Sequence, residues 1–184
     1  MEEKKNLWSS YDEAAKKELH EINEKYKACL DAGKTERECV KLGKKMADTW
    51  GYKNLEDCIS EGTTLKAGDK VYADCMGKAF VMFQLGKKPL EEGMNILGAH
   101  IDSPRIDVKQ NPLYEDSDMA YLDTHYYGGI KKYQWVTIPL AIHGTIAKKD
   151  GTVQDIIIGE KEDDPVLVIS DLLIHLSQQQ IEKK

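Results

Sequence analysis

The stretch that most constrains this chain is Asn95–Arg105, in which an apolar pair leads through two small residues to a histidine and an aspartate. The pair Ile96-Leu97, bounded by a glycine before it and by Pro104 after it, predicts a buried strand. Residues i and i+2 of a strand share a face, so His100 and Asp102 are expected to point to the same side where the strand ends. Strand ends that open into loops are where sheet enzymes place their chemistry.

A histidine beside a carboxylate has two interpretations. In the first, one ring nitrogen of His100 binds a metal while the other donates a hydrogen bond to Asp102, which fixes the tautomer and the orientation of the ring. In the second, His100 is a packed side chain and Asp102 caps the next turn. The triplet alone does not decide between them.

The length and charge of the chain exclude several classes of protein. Its 184 residues suit one domain of ordinary size, or one and a fraction, and are enough to bury a substantial core. The net charge is -6 and the sequence pI is about 5.4, with no concentrated basic patch, so we expect no nucleic-acid partner. No apolar run approaches ~18 residues, so we expect no membrane span.

The cysteine spacing and the amino-terminal residues indicate the cellular compartment in which the chain is expected. Cys29, Cys39, Cys58 and Cys75 form no C-x-x-C pair, which argues against a structural zinc site. The start, Met1–Asn6, is charged and lacks the apolar stretch of a secretory signal. We therefore expect a cytoplasmic protein with reduced thiols.

The first third of the chain has helical periodicity. A first helix is expected to end at Gly33, with Ser10 and Glu13 at the spacing of a capping box, and its aromatic residues are expected in the core. A second helix should begin at the capping box of Thr35 and Glu38. It should end at a C-terminal glycine and be followed by a short helix over about 54–60.

The remaining residues favour strands and turns. Two hairpins are predicted, one around Met76-Gly77 and one around Asp150-Gly151. Residues 107–118 are polar and broken by Pro112, and no strand is placed there. Residues 165–169 predict a short buried strand, and Ser170-Asp171 could cap a short helix after it. The chain is thus α/β over about its first 106 residues and mainly β beyond.

Five motifs in order along the chain resemble the aspartyl aminopeptidase family of metalloaminopeptidases, in its bacterial form. They are Gly98–Arg105, Asn111–Glu115, Tyr126–Trp135, Pro139–Gly144 and Val168–Leu173. Several motifs at compatible spacing are much more specific than one, and together they span nearly the whole chain.

The resemblance implies a two-metal exopeptidase, usually a zinc enzyme, that releases single N-terminal residues from peptide substrates. In such an enzyme His100 would bind one metal and Asp102 would orient it, while two metals polarise the substrate carbonyl and activate a water. The implied fold class is α/β, a mixed sheet with flanking helices. Residues 1–106 would be the N-terminal part of the catalytic domain, and 107–184 the first part of a β-rich dimerisation domain. Homo-oligomers are expected.

The chain lacks most of the metal ligands that the family pattern contains. The other ligands and the general base lie beyond the inserted domain in the family, so this chain holds one matched ligand, His100, and is expected to be a fragment or a truncated product, inactive alone. His125, His143 and His175 are spread through the β-rich half and do not replace the missing carboxylates. The strand ending at His100 would then lack its neighbours, and its apolar residues would be exposed.

His175 has two interpretations of its own. The family places a histidine here, in a Pro-His-Leu context, on a segment that reaches the neighbouring subunit's active site. This chain has Ile174-His175-Leu176, so the histidine matches and the proline does not. The alternative is a histidine that caps a short helix.

Two classes of function follow. The first is a metal-dependent aminopeptidase, represented by its N-terminal part. The second is a non-catalytic remnant, an assembly or binding subunit that keeps the dimerising surface. A different amidohydrolase on a related fold is a third reading, against which the Tyr126–Ile130 run argues.

Overall fold

A computed structural model describes residues 6–179, which divide into two compact units, the first ending at Asp102 and the second beginning at Ser103. Residues 1–5, on which the expectation of no secretory leader rests, lie outside the described part. Within the described part, none of the helices combines the length and apolar character needed to cross a membrane. Which unit serves as catalytic and which as dimerisation domain stays a prediction, with the boundary expected near 106.

The first unit begins with helices whose ends are set by local hydrogen bonds. After a 3-10 turn at Leu7–Ser10 come α1 (Glu13–Ala32), α2 (Glu36–Thr49) and α3 (Leu55–Ser60). The capping box of Thr35 and Glu38 is confirmed. The backbone amide of Thr35 donates to Oε2 of Glu38 at 2.9 Å, and the backbone amide of Glu38 donates to Oγ1 of Thr35 at 3.3 Å. Gly51, at a φ of +77°, follows α2 as a left-handed C-terminal residue.

The capping box predicted for Ser10 and Glu13 is wrong. Asp12 caps α1 instead, since its Oδ1 accepts a hydrogen bond from the backbone amide of Ala15 at 2.8 Å. The Ser10 hydroxyl donates to the carbonyl of Leu7 at 2.7 Å and so belongs to the preceding 3-10 turn. A carboxylate at this position also complements the positive end of the helix dipole.

A three-stranded mixed sheet completes the first unit. It is made of β1 (Lys53–Asn54), β2 (Lys70–Cys75) and β3 (Ala79–Gln84), in that order, with β1 parallel to β2 and β3 antiparallel to it. The predicted hairpin is confirmed, and its two turn residues, Met76 and Gly77, have φ values of +55° and +65°. Positive φ at both positions matches the twist of the flanking strands. Helices beside a mixed sheet confirm the α/β fold class predicted from the sequence.

The core of the described residues lies between α2, α3 and this sheet. Its buried hydrophobic residues are Val40, Ala47, Cys58, Val71 and Tyr72. The expectation that the aromatic residues of the first two helices are in the core is wrong: Trp8, Tyr26 and Trp50 are more than half exposed. Helix α1 has no buried residue at all. The periodicity is that of an amphipathic helix, but within the described residues no side chain on its apolar face is fully buried.

The second unit is built from two hairpins. The first pairs β4 (Arg105–Asp116) with β5 (Met119–Tyr127), and the second pairs β6 (Ile142–Ala147) with β7 (Val153–Ile158), which confirms the hairpin predicted around Asp150-Gly151. β4 occupies residues 107–116 of the polar stretch 107–118, where no strand was expected. Both of its faces are largely exposed, so it lacks hydrophobic alternation, and Pro112 lies where the register shifts between Val108 and Leu113.

Two predictions near the end of the second unit are wrong. Residues 165–169 form isolated bridges, Val136 with Ile169 and Leu140 with Leu167, in place of a buried strand. Asp171 accepts a hydrogen bond from the amide of Leu172 at 2.8 Å, but the residues after it make a turn and not the expected helix. A buried strand needs neighbours on both edges, and the bridges provide only single contacts.

Candidate metal centre

The backbone around His100 differs from the prediction. Residues 93–104 have no regular secondary structure, so the predicted buried strand is wrong. Ile96 is 79% exposed and Leu97 is fully exposed. Strand structure requires a hydrogen-bonded neighbour, and among the described residues the three strands of the first unit pair with one another.

His100 and Asp102 nevertheless lie together, as their spacing predicted. Nδ1 of His100 is 2.9 Å from the backbone carbonyl oxygen of Asp102 and 3.2 Å from its carboxylate Oδ1. Both oxygens accept hydrogen bonds, and a carbonyl oxygen can do nothing else, so Nδ1 carries the proton. In the neutral form of the ring this tautomer has its lone pair on Nε2.

The exposure of the two side chains suits a histidine that offers Nε2 to a metal and an aspartate that orients the ring. The side chain of His100 is 84% exposed and that of Asp102 is 38% exposed. The ring therefore presents Nε2 to solvent while Asp102 holds the other edge. A histidine that ligates a metal usually donates its second N–H to a carboxylate or a carbonyl, and here it faces one of each.

The donor set fits one ligand of a zinc site. Imidazole nitrogen is a ligand that zinc prefers. Within residues 6–179, no group of three or more histidine, cysteine, aspartate or glutamate side chains is placed to hold a metal ion. A zinc ion held by three or more such side chains would therefore need ligands from outside the described residues.

Three further histidines, His125, His143 and His175, belong to the second unit. His175 belongs to the second unit, where it lies exposed in a turn. Nε2 of His143 is 2.9 Å from Oε1 of Glu160, and its side chain is only 13% exposed. Nδ1 of His125 lies 3.3 Å from the carbonyl oxygen of Tyr126. His143 and His125 thus contact partners within the second unit.

An arginine cluster directly after the candidate ligand was not singled out from the sequence. Nε of Arg105 donates to Oδ1 of Asp107 at 2.7 Å, and the guanidinium lies 4.2 Å from the ring centroid of Tyr127. Arg105 and Tyr127 are cross-strand partners in the ladder of β4 and β5. The sequence does contain an indication of this contact, because Arg105 and Asp107 are opposite charges two residues apart. That spacing predicts a contact only if residues 105–107 are recognised as a strand.

Comparison with known proteins identifies the family. A family model described as aminopeptidase I zinc metalloprotease (M18) matches residues 29–184. The chain belongs to the M18 family of aminopeptidases. A probable M18 family aminopeptidase 1 of Clostridium acetobutylicum is 56% identical over 184 residues, all of this chain and 40% of the relative. One from Thermotoga maritima is 44% identical over 177 residues, which is 96% of this chain and 38% of the relative.

Solved structures of M18 enzymes have the same fold. The crystal structure of aminopeptidase I from Clostridium acetobutylicum superimposes with a TM-score of 0.84 at 54% identity, over all of this chain and 40% of that one. The M18 aminopeptidase of Thermotoga maritima gives 0.85 at 43% identity, over 97% and 38%. Yeast mApe1, solved as a dodecamer, gives 0.69 at 22% identity and shares the fold. The chain spans about 40% of the length of the relatives it matches.

Proposed function

We propose that this chain supplies part of the active site of a metal-dependent aminopeptidase that releases single N-terminal residues from peptides. The observation on which the proposal rests is the pair His100–Asp102, with the proton held on Nδ1 and Nε2 exposed. Membership of a family described as zinc metalloproteases supports zinc as the metal. Zinc in such a site supplies Lewis acidity toward a carbonyl and lowers the pKa of water.

This chain's own residues have limited roles in that reaction. His100 offers Nε2 as a ligand. Asp102 fixes the rotation of the ring through its carbonyl and its carboxylate, so that Nε2 points in one direction. The family resemblance places the remaining ligands of a two-metal site, and a general base, outside this chain, and no group of three or more potential ligands occurs among residues 6–179. A role for His175 toward a neighbouring subunit is retained as part of the proposal.

Oligomerisation and compartment complete the proposal. A homo-oligomer is proposed, in keeping with the family resemblance and with the dodecamer solved for yeast mApe1. A cytoplasmic location is supported by four cysteines that are all free thiols. Peptides are the proposed substrates.

The proposal is tested in a chimera that joins these 184 residues to the remaining 60% or so of the Clostridium acetobutylicum relative. We expect the chimera to hydrolyse a panel of aminoacyl p-nitroanilides in a chelator-sensitive reaction, and the isolated 184 residues not to do so. His100→Ala in the chimera should abolish turnover and reduce bound zinc. His125→Ala is the matched control and should leave both unchanged.

Two results would contradict the proposal. Full activity and full zinc content in the His100→Ala chimera would remove His100 from the site. Chelator-sensitive turnover by the isolated chain would show that its own residues complete a site. A soluble, folded chimera without any peptidase activity would instead favour the second class of function, an assembly or binding subunit.

A further inference from the structure

The joint between α1 and α2 brings two cysteines to the same residue. Cys29 lies in the last turn of α1, and Cys39 lies in the first turn of α2. The backbone amide of Gly33, which ends α1, donates to the carbonyl oxygen of Cys29 at 3.0 Å. The thiol of Cys39 donates to the carbonyl oxygen of Gly33 at 3.6 Å. Each cysteine is therefore hydrogen-bonded to Gly33, one from each of the two helices.

Gly33 leaves the space between the two cysteines open. A Cβ at Gly33 would lie 2.8 Å from Sγ of Cys39 and 3.1 Å from the carbonyl oxygen of Cys29. Cα of Cys39 also lies within 4 Å of that point. Residues i and i+4 share a face of a helix, so the sulfur of Cys39 occupies the face of α1 that bears Cys29. The φ of Gly33 is -118°, which any residue adopts, so the close approach of Cys39 and not the backbone requires glycine there.

The surroundings of Cys39 determine which thiol reacts first. Both thiols are partly accessible to solvent. Burial raises the pKa of the Cys39 thiol, and the charges of Glu38, Glu36 and Cys29 raise it further, in that order. The effect of Cys29 on this pKa agrees with the contacts at Gly33 in placing the two thiols near each other. Because a protonated thiol is a poor nucleophile, the first attack on an oxidant falls to Cys29.

We propose that Cys29 and Cys39 form a reversible disulfide that cross-links α1 to α2, with a small-molecule disulfide such as oxidised glutathione as the oxidant. The Cys29 thiolate attacks one sulfur of the small disulfide and releases the other as a thiolate. Cys39 then gives its proton to solvent, attacks the sulfur of Cys29 and releases the second small thiolate. One S–S bond forms in the protein, one breaks in the oxidant, and two electrons pass to the oxidant, which leaves as two thiols.

The cross-link restricts the joint between the two helices. Residues 33–35 connect α1 to α2, and a disulfide fixes the helix ends on either side of them. A disulfide needs Cα atoms within about 7 Å of each other, which the close approach at Gly33 favours. The oxidised joint should open less often, so the amides of residues 29–39 should exchange with deuterium on the order of tenfold more slowly than in the reduced chain. No metal ligand takes part, and the proposal is independent of the peptidase activity.

The test equilibrates the 184-residue chain, and separately the chimera, with mixtures of reduced and oxidised glutathione in the presence of a chelator. Acid quenching, alkylation and trypsin digestion precede mass spectrometry. We expect the peptides 28–34 and 38–41 to be recovered joined by a disulfide from both proteins. Cys29→Ser and Cys39→Ser should each abolish the joined pair. Cys75→Ser is the matched control, since Cys75 is an exposed thiol at the end of β2, and it should change the yield by less than about twofold.

Concentrated urea shows whether the fold brings the thiols together. Unfolding should lower the equilibrium constant for closing the disulfide on the order of tenfold or more, because the folded joint raises the effective concentration of one thiol near the other. The proposal is overturned if the joined peptides are absent from either protein, or if Cys29 pairs as often with Cys58 or Cys75 as with Cys39. Equal closure in urea would overturn it as well, and so would equal deuterium exchange at residues 29–39 in the oxidised and reduced chains.

Discussion

His100 shows how much a two-residue spacing can predict and what it leaves out. The expectation that its ring and Asp102 face the same side came from strand geometry, and the two do contact at 3.2 Å although the backbone there is not a strand. An i, i+2 pair needs only locally extended backbone and no neighbouring strand. Sheet pairing depends on residues distant in sequence, and the local pattern could not predict it.

Asp102 offers a prediction at the scale of one carboxylate. Asp102→Asn in the chimera should lower zinc affinity or turnover about 10–100-fold, because an amide orients the ring less strongly and does not raise its basicity. The carbonyl contact to Nδ1 remains, so the fold should be intact by circular dichroism. Asp107→Asn is the comparison, since that carboxylate contacts Arg105 and not His100. Wild-type zinc affinity and turnover in Asp102→Asn would argue against an orienting role.

Asp74 and Lys44 form the ion pair that ties β2 to α2, at 2.6 Å. The hydrogen bond from Lys44 lowers the pKa of Asp74 and the same bond raises the pKa of Lys44. Because the pKa of Asp74 is lowered in the folded state, its carboxylate adds to the free energy of unfolding at pH values above the ordinary carboxylate pKa. That contribution is lost as the pH falls through the lowered pKa. Because the pKa of Lys44 is raised, its ammonium group adds to the free energy of unfolding at pH values below the ordinary lysine pKa. That contribution is lost as the pH rises through the raised pKa. The pair should therefore stabilise fully from about pH 5 to about pH 9.

The corresponding variant is Asp74→Asn, which should lower the free energy of unfolding by about 1 kcal/mol at neutral pH. The deficit should shrink as the pH falls through the lowered pKa of Asp74, because the unaltered carboxylate then also becomes neutral. Urea denaturation at a series of pH values measures this. Glu24→Gln removes the more exposed pair with Lys27 and should change stability less. A deficit for Asp74→Asn that does not depend on pH would contradict the electrostatic explanation.

Among the elements, the hairpins show which turns a sequence reveals. Met76-Gly77 and Asp150-Gly151 were predicted because glycine at a turn between apolar runs is a local signature. The turn between β4 and β5 has Ser117 and Asp118 at φ values of +55° and +62°, a left-handed pair without glycine, and it was missed. Its strands also lack a buried face, so neither of the two usual indications was present.

The turn between β2 and β3 can be tested by substitution. Gly77→Ala should destabilise the chain by about 1 kcal/mol, because φ is +65° there and a Cβ would lie 3.2 Å from Nη1 of Arg37. Met76→Asn should be neutral or stabilising by a few tenths of a kcal/mol, since Asn tolerates left-handed φ and the Met76 side chain is 82% exposed. Thermal unfolding followed by circular dichroism distinguishes them. A stabilising Gly77→Ala would mean that the turn does not keep its left-handed geometry.

At the scale of the whole molecule, the sequence predicted where apolar residues recur but not what covers them. The stripe on α1 and the pair Ile96-Leu97 both had the composition of buried segments, and neither is buried among the described residues. Periodicity identifies the face that favours burial, whereas burial itself depends on a partner surface. The α/β class was predictable because it follows from the order of helices and strands, which is local.

Ile96 and Leu97 supply a prediction at this scale. Replacing both by Ser should raise the solubility of the isolated 184 residues and reduce binding of the dye ANS, since an exposed apolar pair promotes association. In the chimera the same double change should lower stability, because the segment there regains neighbours. Val166→Ser, at another exposed apolar residue, is the control. Unchanged solubility and dye binding would mean that these side chains are not an association surface.

The distribution of buried residues also determines which segments resist hydrogen exchange and proteolysis. Every buried hydrophobic residue of the described part lies between Val40 and Tyr72, and in the second unit only Ser177 is buried. The hairpins of β4 to β7 therefore contain no fully buried residue, and two-stranded ribbons of this kind open readily. Their amide protons should exchange with deuterium soonest, and a protease should cut there first, leaving α2 with its sheet as the surviving piece.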